Sequence, residues 1–215
     1  RELHSSAGRR NIVIDLNNKT VLITGGAGFI GSHLADACLQ AGAFVRVFDD
    51  FSSGSRANLD FARVATLAAP ERLKIIEGNI RDYGEILVAT EGVDYVFHEA
   101  AKTLVPFSLD HPEESLAVNV MGTLNVLKAA RRMGVKRLVY ASSSSIYGDT
   151  GALPKVETMC PEPLSPYAVG KLAGEHLCRS WSVCFGLPTV SLRYFNVYGP
   201  RQRVLSSIYG LVIPK

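Results

Sequence analysis

Much of what this 215-residue chain could do is excluded by what it lacks. Its four cysteines, Cys38, Cys160, Cys178 and Cys184, form no Cys-x-x-Cys pair and no cysteine–histidine spacing of a zinc site. No metal centre is expected, and the thiols read as reduced. The net charge is only +3 and the basic residues are scattered, with Arg9-Arg10 and Arg131-Arg132 the adjacent arginine pairs, so a nucleic-acid surface is not expected. No apolar run approaches the ~18–20 residues of a membrane span. Arg1 to Arg10 lack the apolar core of a secretory signal. Residues 1–18 are expected to be a leader without regular structure. Together these absences point to a cytoplasmic protein. Apolar residues make up 47% of the chain, enough for one α/β domain with a full core.

The most informative stretch is Thr24-Gly25-Gly26-Ala27-Gly28-Phe29-Ile30-Gly31-Ser32. Before it, Thr20-Val21-Leu22-Ile23 reads as a short buried strand; after it, Phe29, Ile30, Leu34, Ala37 and Cys38 recur at helical spacing. Gly25, Gly28 and Gly31 stand three apart. The first permits a tight turn, the second lets a pyrophosphate approach the backbone, and the third lets the helix pack closely on the sheet. The helix N-terminus adds free N–H groups and a positive dipole end. A P-loop is excluded, because Ser32-His33 follows Gly31 where that motif needs lysine.

Phe44 to Phe48 reads as a second strand ending in Asp49-Asp50. Asp49, 18 residues beyond Gly31, stands close to where a dinucleotide fold places its ribose-binding acid. A carboxylate there accepts from both ribose hydroxyls and repels a 2′-phosphate, which favours NAD over NADP. A loop and a helix follow (Leu59, Ala62, Arg63, Thr66, Leu67), then a third strand, Leu73 to Ile76. Asn79 and Ile80 at its end could flank an adenine, and Asp82 reads as a helix N-cap. The fourth strand, Asp94 to His98, is closed by Glu99-Ala100-Ala101, small enough for a cofactor to cross. His98 has no second metal ligand nearby. A long helix is expected from His111-Pro112 through Met133, with Leu116, Val120, Leu124 and Leu127 as its apolar stripe and Gly134 after its end. Arg137 to Ala141 reads as the fifth strand and Thr189 to Arg193 as the sixth. The alternation predicts an α/β fold, a Rossmann-type doubly wound parallel sheet of order 3-2-1-4-5-6 spanning residues 19–215.

A second signal follows the fifth strand. Ser165 and Pro166 have the chemistry of an N-cap and a first helical residue, which puts Tyr167 and Lys171 one turn apart on one face. A tyrosine of ordinary pKa near 10 is a poor base at neutral pH. Lys171, the helix N-terminus and a positive nicotinamide would each favour its phenolate. Ser143, at the end of the fifth strand, could share the same substrate oxygen. Together they suit removal of a hydroxyl proton as hydride leaves the carbon. A hydrolase reading of the serines fails for want of Gly-x-Ser-x-Gly.

These motifs resemble the extended short-chain dehydrogenase/reductase family, specifically its NAD-dependent nucleotide-sugar epimerases and dehydratases. The resemblance runs from about Lys19 to Gln202 and rests on the glycine turn, Asp49-Asp50 with Ser52-Ser53-Gly54, and His98 to Ala101. It continues through Asn119 to Val126, Ser142 to Gly148, Ser165 to Lys171 and Arg193 to Gln202. It implies Ser143 as the catalytic hydroxyl, Tyr167 as the base, and Lys171 as a ligand of the nicotinamide ribose. Thr103, Ser143, Ser144 and Ser145 would face the substrate, and Asn196 its diphosphate. Phe29, Ile30, Asp50, Ser52, Ser53, Gly54, Lys102, Asn119 and Tyr194 would join the glycines, Asp49, Asn79, Ile80, Ala100 and Ala101 around NAD. The helices near 111–133 and 166–185 resemble the pair that joins the family's homodimers in a four-helix bundle. Family dehydratases resemble Thr-Asp-Glu at 143–145 and decarboxylases carry Glu at 144; three serines here favour an epimerase. The nearest likeness is to bacterial UDP-N-acetylglucosamine 4-epimerases, which oxidise C4, rotate the 4-keto sugar and return the hydride to its other face. A UDP-glucuronate 4-epimerase and a non-catalytic NAD-binding protein are the alternatives. The family's smaller C-terminal substrate lobe is expected to be largely missing beyond Val212 to Lys215. Asn79 stands where the family usually has Asp, and Leu104 and Phe107 are less polar than usual.

Overall fold

A computed structural model describes residues 15–202. Most of the expected leader (residues 1–14) and the expected start of a second lobe at Val212 to Lys215 lie outside the described residues. The strands are β1 (Thr20–Thr24), β2 (Phe44–Asp49), β3 (Leu73–Glu77), β4 (Tyr95–His98), β5 (Arg137–Ser143) and β6 (Thr189–Tyr194). All pair in parallel, in the predicted order β3-β2-β1-β4-β5-β6. Order and direction follow from sequence: the central strands are short, largely apolar runs, and helical segments separate the strands.

Between the strands run α1 (Phe29–Gln40), α2 (Asp60–Ala65), α3 (Tyr83–Ala89), α4 (Val105–Asp110), α5 (Pro112–Leu116), α6 (Thr123–Arg132) and α7 (Pro166–Phe185). They cover both faces of the sheet. One core packs α3, α6 and α7 on Leu22, Val96, Leu138 and Tyr140; the other packs α1 and Leu59, just before α2, with Val21, Ile23, Val45 and Val47. Two caps stand as predicted. Asp82 accepts from the Glu85 amide at 3.0 Å, and Ser165 accepts from the Ala168 amide at 3.2 Å with Pro166 opening α7. Cys38 and Cys178 are buried in these cores as free thiols, while Cys160 and Cys184 are exposed.

The expected helix from His111 to Met133 is broken. α4 starts earlier, at Val105; His111 interrupts it, and α5 leads into a π-helical turn over Ala117–Gly122 before α6. The wider turn rotates the register. Of the predicted stripe only Leu127 is fully buried; Leu116, Val120 and Leu124 are half-buried, and Val118, Gly122, Val126 and Ala130 face the core. Asn119 explains the turn's place: its side chain accepts from the Lys102 amide at 2.9 Å and donates to the Lys102 carbonyl at 3.0 Å. A π turn lets that side chain point inward to meet a loop. In α1 the buried face is Gly31, Ser32, Ala35 and Cys38, whereas Ala37 is exposed, because small residues let the helix lie close to the strands. Leu67, expected on a helix face, lies beyond α2 and is exposed.

Candidate active site

A cavity of about 820 Å³ opens along the carboxyl ends of the strands. One end is the glycine turn. A Cβ on Gly31 would lie 2.3 Å from the Gly25 carbonyl oxygen, and one on Gly25 would lie 2.6 Å from the Ala100 nitrogen. Gly25 also holds a φ of +68°, which glycine adopts without strain. Gly28 is the N-cap of α1 and brings no side chain to cap it, so the first-turn amides of Phe29, Ile30 and Gly31 keep their donors, and these residues line the cavity. Such a turn could cradle a pyrophosphate.

Beyond the turn, Asp49 and Asp50 line the cavity with Ser52, Ser53, Asn79 and Ile80. Asp49, expected to face a ribose, also braces the backbone. Its two oxygens accept from the Ala27 amide at 2.9 Å and the Phe51 amide at 2.8 Å, which ties the glycine turn to the end of β2. Burial raises its pKa, these two backbone bonds oppose the rise, and Asp50 adds to it. Each oxygen keeps a second lone pair for a hydroxyl. Asp50 accepts from Ser52 at 2.6 Å and from Asn79 at 3.2 Å, so Asn79, expected beside an adenine, is anchored at the acid pair. Ala100, Ala101, Lys102 and Thr103 form the floor. Lys102 reaches Ser52 at 3.4 Å and Glu114 at 3.3 Å, spanning two rims.

At the other end stand Ser143, Ser144, Ser145, Tyr167, Lys171, Tyr194 and Asn196. β5 delivers Ser143 and α7 delivers Tyr167 and Lys171. Ser143 accepts from the Ser145 amide at 3.1 Å and the Ser145 hydroxyl at 2.9 Å, which leaves its own proton for another acceptor. Ser143 also favours the phenolate of Tyr167. Lys171 is 4% exposed, and its Nζ donates to the Ala141 carbonyl at 2.7 Å. Burial pulls its pKa down to about 8, with Glu99 the main influence opposing the fall. The expected lowering of the Tyr167 pKa by Lys171 is not what the geometry gives. Nζ lies 6.0 Å from the Tyr167 ring centre, burial raises the phenol, and the Ser143 side chain is what opposes the rise.

Two predicted residues sit behind the wall instead of in it: Gly54 packs against Ala27, and Asn119 is buried beneath Lys102. Several lining residues escaped the sequence reading, among them Asn58, Glu99, Lys155, Phe195 and Arg201. Asn58 donates to the Ala27 carbonyl at 2.9 Å, and Arg201 pairs with Asp36 of α1 at 2.5 Å. Only Glu99 carried a usable signal, a carboxylate directly after an otherwise apolar strand.

His98 is no ligand. Thr123 donates to the Asn119 carbonyl at 2.7 Å, so its oxygen accepts from His98 Nε2 at 2.9 Å. Nδ1 then accepts from the Thr24 hydroxyl at 2.7 Å. Burial first, and the Lys171 charge second, pull the imidazole down to about 3, so it is neutral. Among the described residues no group of histidine, cysteine or acidic side chains could hold a metal ion, and no helix is long and apolar enough to cross a membrane.

The chain is 37% identical over 179 residues to a UDP-glucose 4-epimerase of Corynebacterium glutamicum, covering 83% of this chain and 51% of that protein. A UDP-N-acetylglucosamine 4-epimerase of Methanobrevibacter ruminantium, solved in complex with UDP-N-acetylmuramic acid, superposes with a TM-score of 0.84 at 37% identity over 93% of this chain and 61% of that one. A UDP-glucose 4-epimerase of Thermus thermophilus, solved with NAD, gives a TM-score of 0.76 at 39% identity over 86% and 57%. This chain thus spans a little over half the length of these relatives. The model of the NAD dependent epimerase/dehydratase family matches residues 21–215, and the chain belongs to that family.

Proposed function

We propose that this chain is the cofactor-binding and catalytic part of an NAD-dependent UDP-sugar 4-epimerase acting on UDP-GlcNAc/UDP-GalNAc or UDP-glucose/UDP-galactose. The carrying observation is that one cavity joins the uncapped glycine turn to Ser143, Tyr167 and Lys171. The turn and the first amides of α1 fit the pyrophosphate of NAD, Asp49 fits a ribose diol, and Asn79 and Ile80 fit the adenine side. When bound, NAD supplies a reversible acceptor for a hydride from the sugar carbon and a positive ring close to the phenol. Tyr167 takes the C4 hydroxyl proton and later returns it. Ser143 holds the same oxygen through the proton its own bonds leave free. Lys171 supplies a fixed positive charge on the Tyr167 side of β5 and a donor for the ribose.

The row at 143–145 distinguishes the reaction within the family. It consists of hydroxyls, and the cavity's carboxylates are Asp49, Asp50 and Glu99, none of them in that row. Elimination of water from the sugar would need an acid and a base there; moving one proton and one hydride at C4 does not. Asn196 and Thr103 are assigned to the substrate's diphosphate and sugar sides. The partner is a second copy, joined through the helices of residues 111–133 and α7, where Met121 and Val169 are 54% and 46% exposed. Free thiols at all four described cysteines fit a cytoplasmic enzyme of polysaccharide biosynthesis.

Incubation with UDP-GlcNAc or UDP-glucose, followed by chromatography for the C4 epimer, tests this. Tyr167→Phe should lower turnover by about 10²–10⁴-fold while NAD still binds. Equal turnover of the two proteins would sink the assignment.

A further inference from the structure

Tyr167, Lys171 and Glu175 stand one turn apart on the same face of α7. The first two line the cavity; Glu175 does not. Its carboxylate is nonetheless held by two strands. The Ser142 hydroxyl of β5 donates to Oε1 at 2.5 Å. Arg193 of β6 grips both oxygens, Nε on Oε1 and Nη2 on Oε2, each at 3.0 Å. Parallel pairing sets Ser142 opposite Arg193 and Ser143 opposite Tyr194, so the ion pair bears on the residue next to the proposed catalytic hydroxyl. The two side chains are 17% and 14% exposed. A forked, charge-assisted pair so well covered fixes the geometry of its partners as well as binding them.

Arg193 has a donor to spare. Nη1 donates to the Glu157 carbonyl at 3.2 Å, and the guanidinium carbon lies 4.9 Å from the centre of the buried Tyr147 ring. Glu157 belongs to the proline-rich loop of residues 149–164, which leaves the cavity wall at Gly148 and leads into α7. Among the described residues two hydrogen bonds join that loop to the rest of the chain. One runs from the Glu162 amide to the Ile146 carbonyl at 2.9 Å, near the loop's end; Arg193 supplies the other, at its middle. Two residues before Glu157 stands Lys155, half-buried among exposed neighbours and part of the cavity lining. Its Nζ donates to the carbonyl and the hydroxyl of Thr150 in the same loop, which leaves a third donor. Among the described residues no carboxylate pairs with it. Where the loop goes, this ammonium goes with it.

We propose that Arg193 is a positioning residue for an anionic sugar nucleotide. With Glu175 it locks the end of β5 to α7, and through the Glu157 carbonyl it sets the loop so that the free donor of Lys155 is presented to the substrate. The tether stands on these contacts alone; the role of Lys155 toward a nucleoside diphosphate sugar rests on the epimerase reading.

Arg193→Lys keeps the charge beside Glu175 but has no fork with which to reach the Glu157 carbonyl as well. Trypsin cleavage after Lys155, followed by mass spectrometry on the native 215-residue chain, reads the loop without any ligand. It should run at least about tenfold faster in Arg193→Lys, with cleavage elsewhere unchanged. Glu175→Gln keeps an acceptor for Ser142 and Arg193 but loses the charge, so cleavage should quicken by about threefold, and this variant decides the matter if Arg193→Lys does not fold. Cleavage at the wild-type rate in the variants that fold would overturn the tether. Where epimerisation is measurable, Arg193→Lys should raise KM for the UDP-sugar by about tenfold while NAD affinity, read by calorimetry, stays as in the wild type. Lys155→Met should raise KM in the wild-type background and add little to Arg193→Lys, because both remove the same contact. Full additivity of the two would overturn the role of Lys155. Absence of wild-type turnover would count against the proposed function and leave the cleavage rates to judge the tether.

Discussion

Acidification should weaken this fold through one imidazole. His98 is 1% exposed, sits between Thr24 and Thr123, and is held neutral by burial and by the Lys171 charge. In the folded chain it resists protonation down to about pH 3, whereas its ordinary value is 6.5. Between those values the unfolded chain binds the extra proton. The contribution is therefore whole above pH 6.5 and is lost progressively as pH falls through that window. Each pH unit below 6.5 removes about 1.4 kcal/mol, so acidification to about pH 5 costs about 2 kcal/mol. That is a large part of the ~5–15 kcal/mol by which domains are stable. The magnitude at pH 5 needs only a folded value well below 5. Urea unfolding of the wild type and of His98→Gln, at pH 7.5 and 5, measures it. Gln can keep one donor and one acceptor but takes up no proton. The wild type should lose about 2 kcal/mol more than the variant over that interval, because carboxylates and the other histidines cancel in the comparison. Equal losses would refute the buried-neutral account of His98.

Three further outcomes follow from the site. Gly31→Ala places a Cβ against the Gly25 carbonyl oxygen, so calorimetry should show NAD binding weakened by at least about tenfold and thermal melting should show a lower Tm. Cofactor released from the purified protein should be NAD; recovery of NADP would remove the role given to Asp49, whose carboxylate would repel a 2′-phosphate. Met121→Asp should shift sedimentation from dimer to monomer without changing the far-ultraviolet spectrum; an unchanged dimer would move the interface elsewhere.

The sheet was legible in the sequence because a parallel strand buried on both faces is a bare apolar run, and the glycines, Asp82 and Ser165 mark where helices begin. Ser143, Tyr167 and Lys171 were legible as a set because β5 and α7 bring them to the same end of the sheet. What escaped was decided by contacts between distant segments. The π turn at Ala117–Gly122 answers to Asn119 and its two bonds to Lys102, and periodicity alone cannot register a one-residue widening. Gly54 and Asn119 carry family motifs yet serve from behind the wall, since a motif records that a residue is needed and not what it touches. Lys155 and Arg201 line the cavity only because their loops fold back over it. The pull expected of Lys171 on Tyr167 rested on helical spacing, which sets which face a side chain occupies but not whether its tip bends toward β5.

The cysteines give the chain a practical property. Burial pushes the thiols of Cys38 and Cys178 up to about 11 and about 12, so near neutral pH almost none of either is the reactive thiolate. Cys160 and Cys184 are exposed, one in the proline-rich loop that also carries Lys155, the other at the far end of α7. A maleimide dye will therefore label two sites in the native protein with no need to remove the other two cysteines. With Cys184 replaced, a single fluorophore on Cys160 becomes an optical reporter of that loop as ligands enter the cavity.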